Sequence, residues 1–193
     1  MISDSARRLL NGLLAGKGLD EMSSEGGAAR AEVESLLEGL AETIAPAPTG
    51  SRTGSAVVYS DGASRGNPGA AAIGVRILAD DGTELLAKGL CIGKTTNNVA
   101  EYRAVLAGLE SARELGLRSL ELRLDSELVV RQIRGEYRVR QPALAVLKNK
   151  VDGLLVSFDS VEVRHIPRKE NAEADRLANR ALDRAAKAAK SGN

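Results

Sequence analysis

Tryptophan is absent from this 193-residue chain, phenylalanine occurs once, and aromatic residues total 2%. Cysteine also occurs once, as Cys91. A lone cysteine excludes an intramolecular disulfide and a cysteine-rich metal site, and its expected place is as a small buried side chain in a strand. No run approaches the roughly 18 uninterrupted apolar residues of a membrane span. Met1 to Asp20 lacks a basic start followed by an apolar core and a small-residue cleavage site. These absences predict a cytoplasmic protein with no membrane partner. What remains is 27% charged and 43% hydrophobic, a composition that excludes disorder throughout and allows one domain with a substantial core plus an appendage.

The formal charge of +1 hides an asymmetry. Residues 1–50 carry four basic and eight acidic side chains, whereas the rest carry 23 basic and 18 acidic. A mildly basic larger part fits a polyanionic partner, although solvated surfaces also show such excesses. "APAPTGSRTGS", from Ala45 to Ser55, has the Pro, Gly, Ser and Thr content of a linker. It divides the chain into an N-terminal extension over 1–45, a linker over 46–54 and a main domain over 55–188. Leu9, Leu10, Leu13 and Leu14, then Leu36, Leu37, Leu40 and Ile44, mark two short amphipathic helices in the extension. The reading is a helical hairpin whose leucines pack on the main domain or on a second copy, making it a candidate homodimer contact. No aromatic or basic stripe for nucleic acid marks this part.

After the linker, apolar periodicities give the order β-β-β-α-β-α-α-β-α. Asp81-Gly82 favours a tight hairpin turn, and Pro142 opens a helix. The class is therefore α/β, with a mixed sheet covered by helices.

Four acids stand out. In "TTNNVAEYRAVLAGLESARELG", Ala104, Val105, Gly108, Ala112 and Leu115 share one side of a helix, and Glu101 falls at the centre of that side. Removing an unpaired carboxylate from water costs several kcal/mol. Asp175 repeats the anomaly in the closing helix, sharing a side with Ala178, Leu182, Ala186 and Ala189. Asp61 is expected at the end of the first strand and Asp125 at the end of the fourth, with those strands as parallel neighbours. Individually, each has a plainer reading: a turn residue before Gly62, a helix cap, a partner of the helix dipole. Jointly, four converging carboxylates repel one another unless protons or cations neutralise them. Hard oxygen ligands suit Mg²⁺ or Mn²⁺, paired as in in-line phosphoryl chemistry.

"YSDGASRGNPGAAAIGV", "TTNNVAEYRAVLAGLE", "LRLDSELVVRQIRGEY" and "HIPRKENAEADRLANRA" resemble, in order and spacing, four successive blocks of the ribonuclease HI family. They resemble in particular its compact members without a basic protrusion. The resemblance implies a ribonuclease H-like five-stranded mixed sheet, three strands antiparallel and two parallel. It also implies hydrolysis of the RNA strand of RNA/DNA hybrids with two Mg²⁺ per site, leaving 5′-phosphate and 3′-hydroxyl ends. Its metal-binding acids match Asp61, Glu101, Asp125 and Asp175, and its proton-handling histidine matches His165, whose alternative reading is packing at a strand end.

Glycines let a backbone approach a sugar-phosphate chain closely, and neutral amides suit detection of 2′-hydroxyls. Gly62, Asn67, Thr96, Asn97 and Asn98 are accordingly candidate hybrid contacts. By resemblance, Asn67 and Thr96 hold a DNA phosphate and Asn98 contacts the minor groove. Arg138, Arg140, Lys148 and Lys150 are candidates for backbone binding. A glutamine that reads the hybrid in the family is Glu127 here. The alternative function is a nucleic-acid-binding module of the same fold with little or no catalysis.

Overall fold

The computed structural model describes residues 55–191. The helical hairpin, linker and dimer contact expected over residues 1–54 lie outside the described residues.

Strands β1 (Ser55–Gly66), β2 (Gly69–Ala79) and β3 (Glu84–Thr95) form an antiparallel meander. Helix α1 (Asn97–Glu114) leads to β4 (Ser119–Leu124), then α2 (Glu127–Ile133) and α3 (Pro142–Leu155). Strand β5 (Ser160–His165), a 3-10 turn (Arg168–Glu170) and α4 (Ala172–Ser191) complete the domain. The sheet order is β3-β2-β1-β4-β5, and β4 lies parallel to both β1 and β5. Gly82, with φ at +82°, makes the β2–β3 turn at Asp81-Gly82. Element order and strand directions are those expected from the periodicities.

One face of the sheet carries the main core. Val58, Val75, Ile77, Leu120, Leu122 and Leu124 pack there against Tyr102, Val105 and Leu109 of α1, with Val129 and Val130 of α2 and Leu144 and Val151 of α3. The Tyr102 hydroxyl donates to Gln132 at 2.9 Å, so the one fully buried phenol is satisfied. On the opposite face, Ala72 and Ala63 meet Ala181 and Leu182 of α4.

Three expectations need correction. Asp61 is not at the end of its strand: β1 continues to Gly66, because each residue from Ala56 to Gly66 keeps an antiparallel partner on β2. Cys91 is exposed rather than buried, since β3 is the sheet edge; its thiol faces the Ala71 carbonyl at 3.4 Å. In α4 the covered stripe is Ala174, Ala178, Ala181 and Leu182, and it ends there. Ala186 and Ala189 are exposed, so the last turns carry the periodicity without the packing.

Candidate active site

Parallel pairing between β1 and β4 ends at Tyr59 opposite Arg123. Asp61 and Asp125 each lie two residues beyond that pair, where the two chains are no longer joined and a crevice opens. Strand ends that split in this way are a common place for ligands in α/β sheets.

Two glycines around Asp61 bring in the other two acids. A Cβ on Gly62 would overlap the backbone between Ala100 and Glu101, so the bare Gly62 admits the start of α1 against β1. Gly74 is the register partner of Asp61, and a Cβ there would overlap the carbonyl of Ala174, the residue before Asp175. The close approach offered by Gly62 is therefore taken up inside the protein, by the helix that carries Glu101. Thr96 caps that helix, its hydroxyl accepting the Val99 N–H at 3.4 Å.

Asp61 is 6% exposed. Burial, with Asp125 and Asp175 nearby, pushes its pKa up from 3.8 to about 7; the Arg168 guanidinium and the Gly62 N–H offset only part of this. Burial, with Asp61 and Asp125 nearby, raises Glu101 from 4.5 to about 8. These mutual effects place Asp61, Glu101, Asp125 and Asp175 within one electrostatic neighbourhood. Asp125 does not cap α2; the cap position is Ser126. Its Oδ1 instead accepts the Asn171 amide at 2.7 Å. Asp175 accepts Arg168 at 2.6 Å and the Asn179 amide at 3.1 Å. Arg168 was not singled out in the sequence; Asn171 stands one helical turn before Asp175.

Among the described residues, no three or more His, Cys, Asp or Glu side chains already form a ligand set for a metal. The acids converge electrostatically, not as ready coordination, with Arg168 on Asp175 and Asn171 on Asp125. The donors nonetheless fit a divalent metal of the hard class: oxygen only, and anionic once two strained protonation equilibria are relieved by a cation. His165 ends β5 opposite Leu124, one residue short of Asp125, and is exposed. That position leaves the imidazole open to solvent.

A profile of the family described as "Reverse transcriptase-like" matches residues 59–181. A "Ribonuclease HI" of Halobacterium salinarum is 45% identical over 132 residues, which are 68% of this chain and 66% of that protein. The chain belongs to the ribonuclease H family. A crystal structure of RNase H1 from the same archaeon superposes with a TM-score of 0.66 over 67% of this chain and 98% of that one. LC11-RNase H1 in complex with an RNA/DNA hybrid gives 0.65 at 41% identity, again over 67% of this chain and 98% of that one. The chain spans about two thirds of the curated Halobacterium ribonuclease HI, and 37% of the "Bifunctional protein" of Mycobacterium tuberculosis that it matches at 43% identity.

The fold brings two of the polar candidates into contact. Asn67, in the β1–β2 turn, accepts the Asn97 N–H at 3.2 Å and so ties that turn to the start of α1. Asn67, Asn97 and Asn98 are exposed on one rim. The basic candidates divide. Arg138 and Lys148 line a cleft of ≈ 490 Å³ with Tyr137 and Gln132, and Arg140 shares an adjoining ≈ 330 Å³ cleft with Arg138 and Leu128. Lys150 lines neither. Lys148 is already held by Asp152 at 2.6 Å. Glu127, at the position where the family resemblance leads one to expect glutamine, is paired with Arg131 at 2.7 Å, and Arg131 lies over the Tyr137 ring at 5.0 Å. Its negative charge is therefore compensated within α2 and its flank.

Among the described residues, no helix is long and apolar enough to cross a membrane.

Proposed function

We propose that the chain is a divalent-metal-dependent endoribonuclease that hydrolyses the RNA strand of RNA/DNA hybrids. One observation supports this above the others: the buried Asp61 and the half-buried Glu101 lie beside further carboxylates and are driven to about 7 and 8, so the site is built around negative charge that a bound cation would stabilise. The hybrid bound by LC11-RNase H1 supports the substrate class.

Asp61, Glu101, Asp125 and Asp175 would hold two Mg²⁺, with Mn²⁺ as an alternative. When bound, such a pair supplies an activated water and compensates charge on the leaving oxygen of a phosphodiester. The protein's own groups do the rest. Gly62 and Gly74 fix the two helices so that Glu101 and Asp175 flank Asp61. The exposed His165 can exchange a proton with solvent or product beside Asp125. Asn67, Thr96, Asn97 and Asn98 offer neutral donors and acceptors to the two backbones of the hybrid, where an enzyme must distinguish 2′-hydroxyl from hydrogen. Arg138 and Arg140 supply phosphate attraction without base reading.

The test is cleavage of end-labelled RNA/DNA hybrid, double-stranded RNA and double-stranded DNA in Mg²⁺, Mn²⁺ or EDTA, beside Asp125→Asn. The expected result is cutting of the hybrid's RNA strand alone, with 5′-phosphate products, abolished by EDTA and by the substitution. Retained binding of the hybrid with no cleavage in any metal would identify a binding module of the same fold.

A further inference from the structure

Asn171 joins three of the four acid-bearing elements. It sits between the 3-10 turn and α4 and is 1% exposed. Its side-chain amide donates to the Ser60 carbonyl at 2.9 Å, next to Asp61, and to Asp125 Oδ1 at 2.7 Å. Its backbone carbonyl accepts the Asp175 N–H at 3.1 Å. One residue thus ties β1 beside Asp61, the end of β4 at Asp125 and the first turn of α4 at Asp175.

Stability alone does not explain this residue. Both amide hydrogens are used, but Asn171 Oδ1 is buried with no partner among the described residues. Such an orphaned acceptor costs about 1–3 kcal/mol. What the amide does provide is orientation. A carboxylate turns readily about its last bond, and a hydrogen bond to one oxygen fixes which lone pairs remain free. A neutral donor does so without changing the charge of the cluster. A lysine or arginine there would cancel negative charge, and an acid would add repulsion.

We propose that Asn171 is a positioning residue: it sets the orientation of Asp125 and the spacing of Asp61, Asp125 and Asp175, and through them the affinity of the site for divalent cations. This rests on the carboxylates being the cation site, and the experiment separates the two claims. Mn²⁺ and Mg²⁺ are titrated calorimetrically, without nucleic acid, into the full-length wild type, Asn171→Ala, Asp125→Asn and the double variant. Tyr102→Phe serves as a control for destabilisation, because it removes a buried hydrogen bond to Gln132 and none made by the four acids.

Asn171→Ala is expected to weaken metal binding by about 10–100-fold, the usual cost of losing a partner that orients a ligand. The metal concentration for half-maximal hybrid cleavage should rise by the same factor while KM for the hybrid stays constant. In the Asp125→Asn background the effect should shrink, because the part exerted through the Asp125 carboxylate is already lost. Metal affinity within about twofold of wild type, or an equal loss in Tyr102→Phe, overturns the proposal. If the alanine variant fails to fold, Asn171→Ser, which keeps a small polar residue at the helix start, carries the same comparison. Failure of both to fold assigns the side chain to the scaffold and also overturns it. A wild type that takes up no metal, or an Asp125→Asn variant that binds as wild type does, contradicts the cation site itself and this inference with it.

Discussion

Acids in the crevice and acids on the α2–α3 surface are treated in opposite ways. On the surface, Glu127 is matched by Arg131, Asp152 by Lys148 and Glu136 by Arg134. Exposed pairs of this kind are worth little in stability, but they leave no net charge to attract a cation. In the crevice, the buried Asp61 and the half-buried Glu101 lie beside other acids, and the guanidinium that reaches them, on Arg168, pairs with Asp175. Desolvation and repulsion are left standing there. A scaffold that could have neutralised these charges, and does so elsewhere, keeps them available.

Breaking the crevice should have the largest effect. Asp61→Asn or Asp125→Asn is expected to reduce kcat on the hybrid by more than about 100-fold, beyond what the loss of an orienting partner costs, as measured by single-turnover cleavage. Gly62→Ala tests the placement of Glu101. Its methyl would overlap the Ala100–Glu101 backbone, so chemical denaturation should show a loss of about 1–3 kcal/mol or more, together with lost activity.

Next in size is a pH effect on stability in EDTA. Asp61 and Glu101 are protonated in both folded and unfolded chains well below 3.8 and 4.5, so their burial then carries no penalty. As pH rises, the unfolded chain releases these protons first, and the folded chain holds them until about 7 and 8. The folded state binds more protons throughout that window, so their contribution to stability falls from about pH 4 to about pH 8. Urea titrations across that range should show the decline in EDTA and its reversal by Mg²⁺.

The surface should respond in the other direction and by less. Glu127→Gln releases Arg131 from its partner. Hybrid binding should tighten a few-fold, with a salt dependence steeper by about 0.7–0.9, the value of one added phosphate contact. Arg138→Ala should weaken binding to any hybrid sequence and make the slope shallower by about 1.

Much of this contrast was legible in the residues. The misplaced Glu101 and Asp175 could be read because helical periodicity places every side chain from its neighbours, and Leu120, Leu122 and Leu124 fixed the inward side of β4. Contacts between distant segments were not legible. Nothing local announces that Gly74 faces Ala174 or that Asn171 reaches Ser60 and Asp125. The length of β1 was misjudged for the same reason: Gly62 looks like a turn residue until its antiparallel partner Ile73 is known. In Cys91 and Ala186, local character was apolar and only position in the sheet edge or the helix end decided exposure.

The claim that the crevice holds its charge for a cation is tested most directly at Glu101. Thermal unfolding of wild type and Glu101→Gln is compared in EDTA, at a pH above the Glu101 value of about 8, and again with Mg²⁺. The account predicts that the variant is the more stable of the two in EDTA, is inactive on the hybrid, and gains less from Mg²⁺ than the wild type does. A variant that is destabilised in EDTA and responds to Mg²⁺ as the wild type does would contradict it, and would make Glu101 a structural residue.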